Sequence, residues 1–171
     1  QETMAIGQEI SVTGLQLVQA FGVIANDGQL LEPHIVKGIL HSDGQVEERA
    51  HQNPVRQVIS AGTAEKMREI LTGVVASGTG KRAQIEGIAV AGKTGTAQQA
   101  SRNGGGYDPD RNIVSFVGFL PAEDPELLCL IVVDNPLRDR WGGHTAAPAF
   151  KRVMERILYL PEGRACARQR E

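Results

Sequence analysis

This 171-residue sequence predicts an α+β fold, an antiparallel sheet packed with helices. Three observations carry the prediction. Apolar residues recur at helical spacing before and after a middle region, that region holds three successive strand-like runs, and no internal repeat is present. Length and composition fit one domain, or part of one.

The first element is a helix over 13–27. Thr13 and Gln16 have the spacing of a capping box, and Leu17, Phe21, Ile24 and Ala25 follow at helical intervals until Asn26-Asp27-Gly28 stops them. From 29 to 58 the pattern weakens. Pro33, Pro54 and the polar stretch "HSDGQVEERAHQN" predict only a short hairpin or strand pair around Asp43-Gly44. A second helix is expected from Thr63 to about Ser77, burying Met67, Ile70, Leu71, Val74 and Val75, with Gly78 placed to end it.

After the turn "GTGKRAQIEG", residues 88–98 read as an edge strand. "NIVSFVGFLP" and "ELLCLIVVD", joined by the turn "PAEDP", read as two adjacent antiparallel strands. Pro148 suits the first turn of a last helix, with Phe150, Val153, Met154, Ile157 and Leu158 on its buried face until Pro161. The tail, residues 162–171, is expected to fray.

Composition narrows the function. The chain is 41% hydrophobic and 22% charged, with net charge -2 and a pI near 6.1. Without a run of Lys or Arg along one face, nothing points to nucleic acid as a partner. The longest apolar run, Leu127 to Val133, is far short of the roughly 20 residues a membrane-spanning helix needs. The chain starts at Gln1 with no signal-like stretch, so any targeting segment is expected to lie upstream or not to exist. Cys129 sits in an apolar run and reads as core, Cys166 lies in the charged tail, and His34, His41, His51 and His144 are scattered. Neither a metal site nor a cofactor is expected.

The stretch "GIAVAGKTGTAQQ" satisfies two catalytic patterns at once. As Gly87-x-x-x-x-Gly92-Lys93-Thr94 it fits a nucleotide-binding P-loop, and Asp134 at the end of "LLCLIVVD" could serve as the magnesium ligand. That chemistry needs a buried strand before Gly87 and a helix starting near Lys93 whose N-terminus faces phosphate. "TGKRAQIE" is too polar for such a strand, Ile88–Ala91 is too apolar for a phosphate loop, and "TAQQASRNGGGYDPD" is too glycine-rich for the helix.

As Lys93-Thr94-Gly95 it fits an edge strand to which an extended peptide can add. Lys93 would provide positive charge for a carboxylate, Thr94 and Thr96 hydroxyl donors, and Gly95 room for a ligand backbone.

At this point the chain resembles the penicillin-binding protein transpeptidases over nearly all its length. The matching pieces, in the family's order, are "AIGQEISVTGLQLVQAFGVIANDGQLLEPHIVK", "VVASGTGKRA", "VAGKTGTAQ", "SFVGFLP" and "GGHTAAPAFKRVMERIL". It is most similar to the monofunctional, class B branch, and "SFVGFLP" with "YLPE" resembles the cell-division (septal) members.

The resemblance implies a penicillin-binding/β-lactamase-like transpeptidase fold. It also implies an enzyme that cross-links peptidoglycan stem peptides by serine acyl transfer from D-Ala-D-Ala and is acylated by β-lactams. Lys93, Thr94 and Gly95 match the family's third motif, and Thr96 matches the residue whose backbone amide forms half of the oxyanion hole and whose hydroxyl helps hold the carboxylate. A Gly-Gly segment such as the one in Trp141-Gly142-Gly143-His144 is a connection before the last helix in this family.

One departure matters more. None of Ser11, Ser42, Ser60, Ser77, Ser101 and Ser115 has Lys three positions later, so the nucleophile of the Ser-x-x-Lys motif is absent. Ser101-Arg102-Asn103 has the spacing of the family's Ser-x-Asn motif but follows Lys-Thr-Gly instead of preceding it. Residues 1–171 are therefore expected to be the C-terminal portion of one transpeptidase domain, inactive alone, with an exposed apolar surface where its missing N-terminal half packs. The resemblance further implies an external-face location in the bacterial envelope, an upstream membrane anchor and division-complex partners. A non-catalytic sensor or scaffold on the same fold, and a carboxypeptidase or β-lactamase, are the alternatives.

Overall fold

The computed structural model describes residues 10–48, 54–101 and 104–160. The tail expected to fray, the start of "AIGQEIS", the end of "EERAHQN", and Arg102 and Asn103 lie outside the described residues.

Helix α1 spans Gly14–Ala25. Its capping box is complete: Gln16 N–H donates to Thr13 Oγ1 at 3.2 Å, and Thr13 N–H donates to Gln16 Oε1 at 2.9 Å. The chain leaves the helix at the expected place, through left-handed Asp27 (φ 48°) and Gly28 (φ 85°). Strand β1 (Gln29–Leu31) then pairs with β4 (Pro54–Gln57), and β2 (Gly38–Leu40) pairs with β3 (Val46–Glu48) as the hairpin expected around Asp43-Gly44.

Helix α2 spans Ala61–Ala76 and starts two residues before the expected Thr63, because the Ser60 hydroxyl accepts from Thr63 N–H and makes Ser60 the cap. Its buried residues are Ala64, Leu71 and Val75. Ile70, expected in that face, is 60% exposed.

The main sheet has three antiparallel strands in the order β5 (Ala91–Ala100), β6 (Tyr107–Leu120) and β7 (Leu127–Asp134). Lys93 faces Val117 in register, and Phe116 faces Ile131. Among the described residues β5 pairs only with β6, so it is the expected edge strand, running from Ala91 to Ala100 rather than over 88–98. Its extended course to Ala100 removes the P-loop, which requires a helix where the strand continues.

Two predictions about the last helix need correction. α3 spans Gly142–Tyr159, so Gly142, Gly143 and His144 are its first turn and not a connection, and Pro148 lies inside the helix beyond that turn. The cause is tertiary. A Cβ at Gly142 would sit 2.5 Å from Gly95 O and 2.6 Å from Ser115 O, and one at Gly143 would sit 2.5 Å from Thr79 O. Only a glycine pair lets the helix start this close to other backbone. The buried residues are Gly142, Ala146, Ala147, Phe150 and Met154, while Val153, expected among them, is 39% exposed.

Two apolar clusters flank the sheet. Val75, Val90, Phe116, Leu120, Ala146, Ala147, Phe150 and Met154 pack on the α3 side, with Phe116 and Phe150 edge-to-face at a centroid distance of 4.9 Å. On the α1 side Leu71, Ala91, Phe119 and Ala122 are joined by the half-buried Phe21, Ile24 and Leu128. Cys129 packs against the first cluster, and burial raises its thiol pKa, in keeping with a core role. Among the described residues no helix is long and apolar enough to cross a membrane.

Candidate functional site

The edge begins buried and then opens. Val90, Ala91 and Gly92 are covered, Lys93 is exposed, Thr94 and Gly95 are half-buried, and Thr96 is exposed again. The helix that precedes the strand explains this, since α2 and its exit turn lie over the start of β5 and end beside Thr94. The four residues singled out by sequence thus fall together where the cover stops.

Alternation along the strand divides them. Gly92, Thr94 and Thr96 share the α3 face, where a Cβ at Gly92 would meet the Phe116 ring at 2.6 Å. Lys93 and Gly95 share the α1 face, where Gly95 lies against the Ser115 side chain. Lys93 Nζ donates to the Thr94 carbonyl at 2.9 Å, and among the described residues it has no carboxylate partner.

Both threonine hydroxyls are held from behind. The Thr94 and Thr79 hydroxyls are 2.8 Å apart, and Thr96 Oγ1 accepts from Gly142 N–H at 3.3 Å. Thr79, Gly142 and Gly143 are not singled out as site residues by the sequence. The available signal was the pairing of glycines, one on each side of Thr79 and two in succession at 142–143, which marks places where backbone approaches backbone.

The approach to α3 reaches this edge through Gly142, and Gly104, Gly105 and Gly106 lead into β6 with φ of 91°, 72° and 82°. Arg140 Nη1 donates to Asp110 Oδ1 at 3.0 Å, tying the long bulge of β6 to the approach to α3. His144 Nδ1 lies 2.9 Å from Asp139 Oδ2, and Trp141 is 65% exposed. A groove of about 660 Å³ continues along the α1 face past Gly95, between Val12, Thr13 and Leu17 on one side and Ala97, Ser115 and Val132 on the other. No group of His, Cys, Asp and Glu suited to a metal ion occurs among the described residues.

Among the described residues, then, this edge presents an unpaired strand side, a lysine without a carboxylate partner and two threonine hydroxyls. The family profile described as "Penicillin binding protein transpeptidase domain" matches residues 1–155. The chain belongs to that family. Stage V sporulation protein D of Bacillus subtilis is 42% identical over 161 residues, covering 92% of this chain and 24% of that protein. Penicillin-binding protein PbpB of Mycobacterium tuberculosis is 38% identical over 159 residues, covering 88% and 23%.

The crystal structure of penicillin-binding protein 3 from Mycobacterium tuberculosis complexed with aztreonam superposes with a TM-score of 0.81 at 36% identity, over 91% of this chain and 36% of that one. The fold expected from the resemblance, and its class B assignment, agree with these relatives. The chain spans about a quarter of the length of the curated relatives it matches.

Proposed function

We propose that this chain supplies the Lys-Thr-Gly edge of a peptidoglycan D,D-transpeptidase of the septal class B type, whose nucleophilic serine comes from outside residues 1–171. The observation that carries this is the position of Lys93, exposed at the first uncovered step of the edge strand and without a carboxylate partner among the described residues.

In this function the stem peptide lies along β5 as an added strand. Lys93 attracts the terminal D-Ala carboxylate, Thr94 and Thr96 donate hydroxyl protons to it, and Gly95 lets its backbone approach. The serine oxygen attacks the carbonyl of the D-Ala-D-Ala bond, and the backbone N–H of Thr96 stabilises the oxyanion. The bond to the terminal D-Ala then breaks, that residue leaves as the free amine, and the acyl group remains on serine. Attack on this ester by an amine of a second stem peptide forms the cross-link and releases the serine.

The direction of the Thr94 carbonyl supports the role of Thr96. A residue in an antiparallel strand points its N–H and C=O to the same side, and every second residue points the same way. A Thr94 carbonyl open to Lys93 Nζ is what an outward-facing set containing Thr96 N–H would give. β-Lactams would bind along the same edge, at the external face of the cytoplasmic membrane where the substrate lies, and the missing N-terminal half and division-complex proteins would be the macromolecular partners.

The test is intact mass after benzylpenicillin treatment, on this chain and on the protein extended upstream in its own reading frame. The expected result is one added penicillin on the extended protein only. Acylation of the short chain would identify one of its own serines as the nucleophile. Acylation of neither would leave a binding or scaffolding module in place of an enzyme.

A further inference from the structure

Thr79 sits at the tip of a turn built to hold it still. The N–H groups of Gly78 and Gly80 both donate to Val74 O at 3.1 Å, at the end of α2. A Cβ at Gly78 would meet that carbonyl at 2.9 Å, and one at Gly80 would meet it at 3.2 Å and the Phe116 ring at 3.3 Å. The turn is therefore pressed against both α2 and the core. On its other side the Thr79 carbonyl lies under Gly143. What remains for Thr79 is to present its hydroxyl to β5, where it meets the hydroxyl of Thr94 at 2.8 Å.

The two threonines of the edge are held in comparable ways. An amide can only donate, so the bond from Gly142 N–H to Thr96 Oγ1 occupies a lone pair and leaves the Thr96 proton for another acceptor. Between Thr79 and Thr94 either hydroxyl can donate. We propose that Thr79 is a positioning residue: its O–H donates to Thr94 Oγ1, so that Thr94, like Thr96, turns its own proton toward the ligand carboxylate. Both edge hydroxyls then become donors at the point where Lys93 provides charge, and each is polarised by the bond it accepts. A Thr94 that donated back to Thr79 would offer that carboxylate only lone pairs. This inference rests on the carboxylate-binding role proposed above for the edge.

The test uses the protein extended upstream. The rate constant of acylation is measured for benzylpenicillin and for its methyl ester, which lacks the carboxylate charge. Thr79→Val is expected to slow acylation by the acid about tenfold, as for loss of one hydrogen bond, while changing the ester less than twofold. Thr79→Ser is expected to stay within about twofold of the parent on both. Thr94→Val should slow the acid as much as Thr79→Val, and the double variant should be no slower than either single one.

An equal fall for acid and ester would make Thr79 merely structural and overturn the proposal, as would no change or additive effects. Thr79→Ala gives the same comparison if the larger side chain is not accommodated. Lys93→Ala separates the two levels. If the parent and this variant treat acid and ester alike, the carboxylate role of the whole edge fails; if Lys93→Ala loses the preference for the acid but Thr79→Val keeps it, only the role of Thr79 fails.

Discussion

The two faces of the main sheet differ in how far they are covered. On the α3 face Phe116, Phe150, Leu120 and Met154 are each at most 1% exposed, and the sheet and helix interlock through rings in direct contact. On the α1 face the helix contacts β7 and β6, and Leu15, Val132 and Ile113 are 56%, 52% and 40% exposed. The first is a finished core. The second is only partly covered among the described residues, and it carries Lys93 and Gly95. The binding edge proposed above needs a fixed strand and an open side; the closed face provides the first and the less covered face the second.

The largest effect expected from this difference is on the closed side. Phe116→Ala should destabilise the chain by about 3–5 kcal/mol, enough to abolish a cooperative denaturant transition in a domain of ordinary stability. A cost under about 1 kcal/mol would mean that this face is not the anchor.

Next is Lys93→Ala in the extended protein. Loss of one charge-assisted contact should slow acylation by benzylpenicillin by about 10- to 100-fold. The melting temperature should hardly move, because an exposed side chain away from the core contributes within about 0.5 kcal/mol. A parallel loss of stability would break the separation between anchor and edge.

Gly142→Ala tests how closely the faces are joined at the strand. Helix propensity alone favours alanine by about 1 kcal/mol, but the new Cβ would press on the carbonyls of Gly95 and Ser115. A net destabilisation of about 1–3 kcal/mol by chemical denaturation is expected, and a stabilised variant would show that the approach is looser than described.

The smallest effect belongs to the open face. Val132→Thr should change the stability of this chain by no more than about 0.5 kcal/mol, since the side chain is still half in water. It should also reduce self-association, measured by light scattering, because it breaks an exposed apolar patch. In the extended protein the same change should cost more, and equal costs in the two would mean that nothing further packs there.

Much of the local structure was legible in the residues. The capping box at Thr13 and Gln16, the stop at Asn26-Asp27-Gly28, the hairpin at Asp43-Gly44 and the strand pair across "PAEDP" all depend on contacts within a few residues. Lys93, Thr94, Gly95 and Thr96 were found as a group for the same reason, since one strand carries them. Their division between two faces follows from alternation, but which face stays open does not. The helix starts show where local signals lose. Pro148 marks a favourable first turn, yet α3 begins at Gly142 because the glycine pair packs on β5, β6 and the 78–80 turn.

By itself, then, the sequence determined the kinds of elements, their order, the family, and the four residues of the edge, because helix caps, periodicity and motif spacing are properties of neighbouring residues. Only the tertiary structure decided that α2 covers β5 up to Gly92, that Thr79 meets Thr94, that Gly142 meets Thr96, and that Lys93 lies on the uncovered face. Those contacts join residues from 15 to 46 positions apart. Their distances are fixed by how closely packed backbones can approach, which no local pattern records.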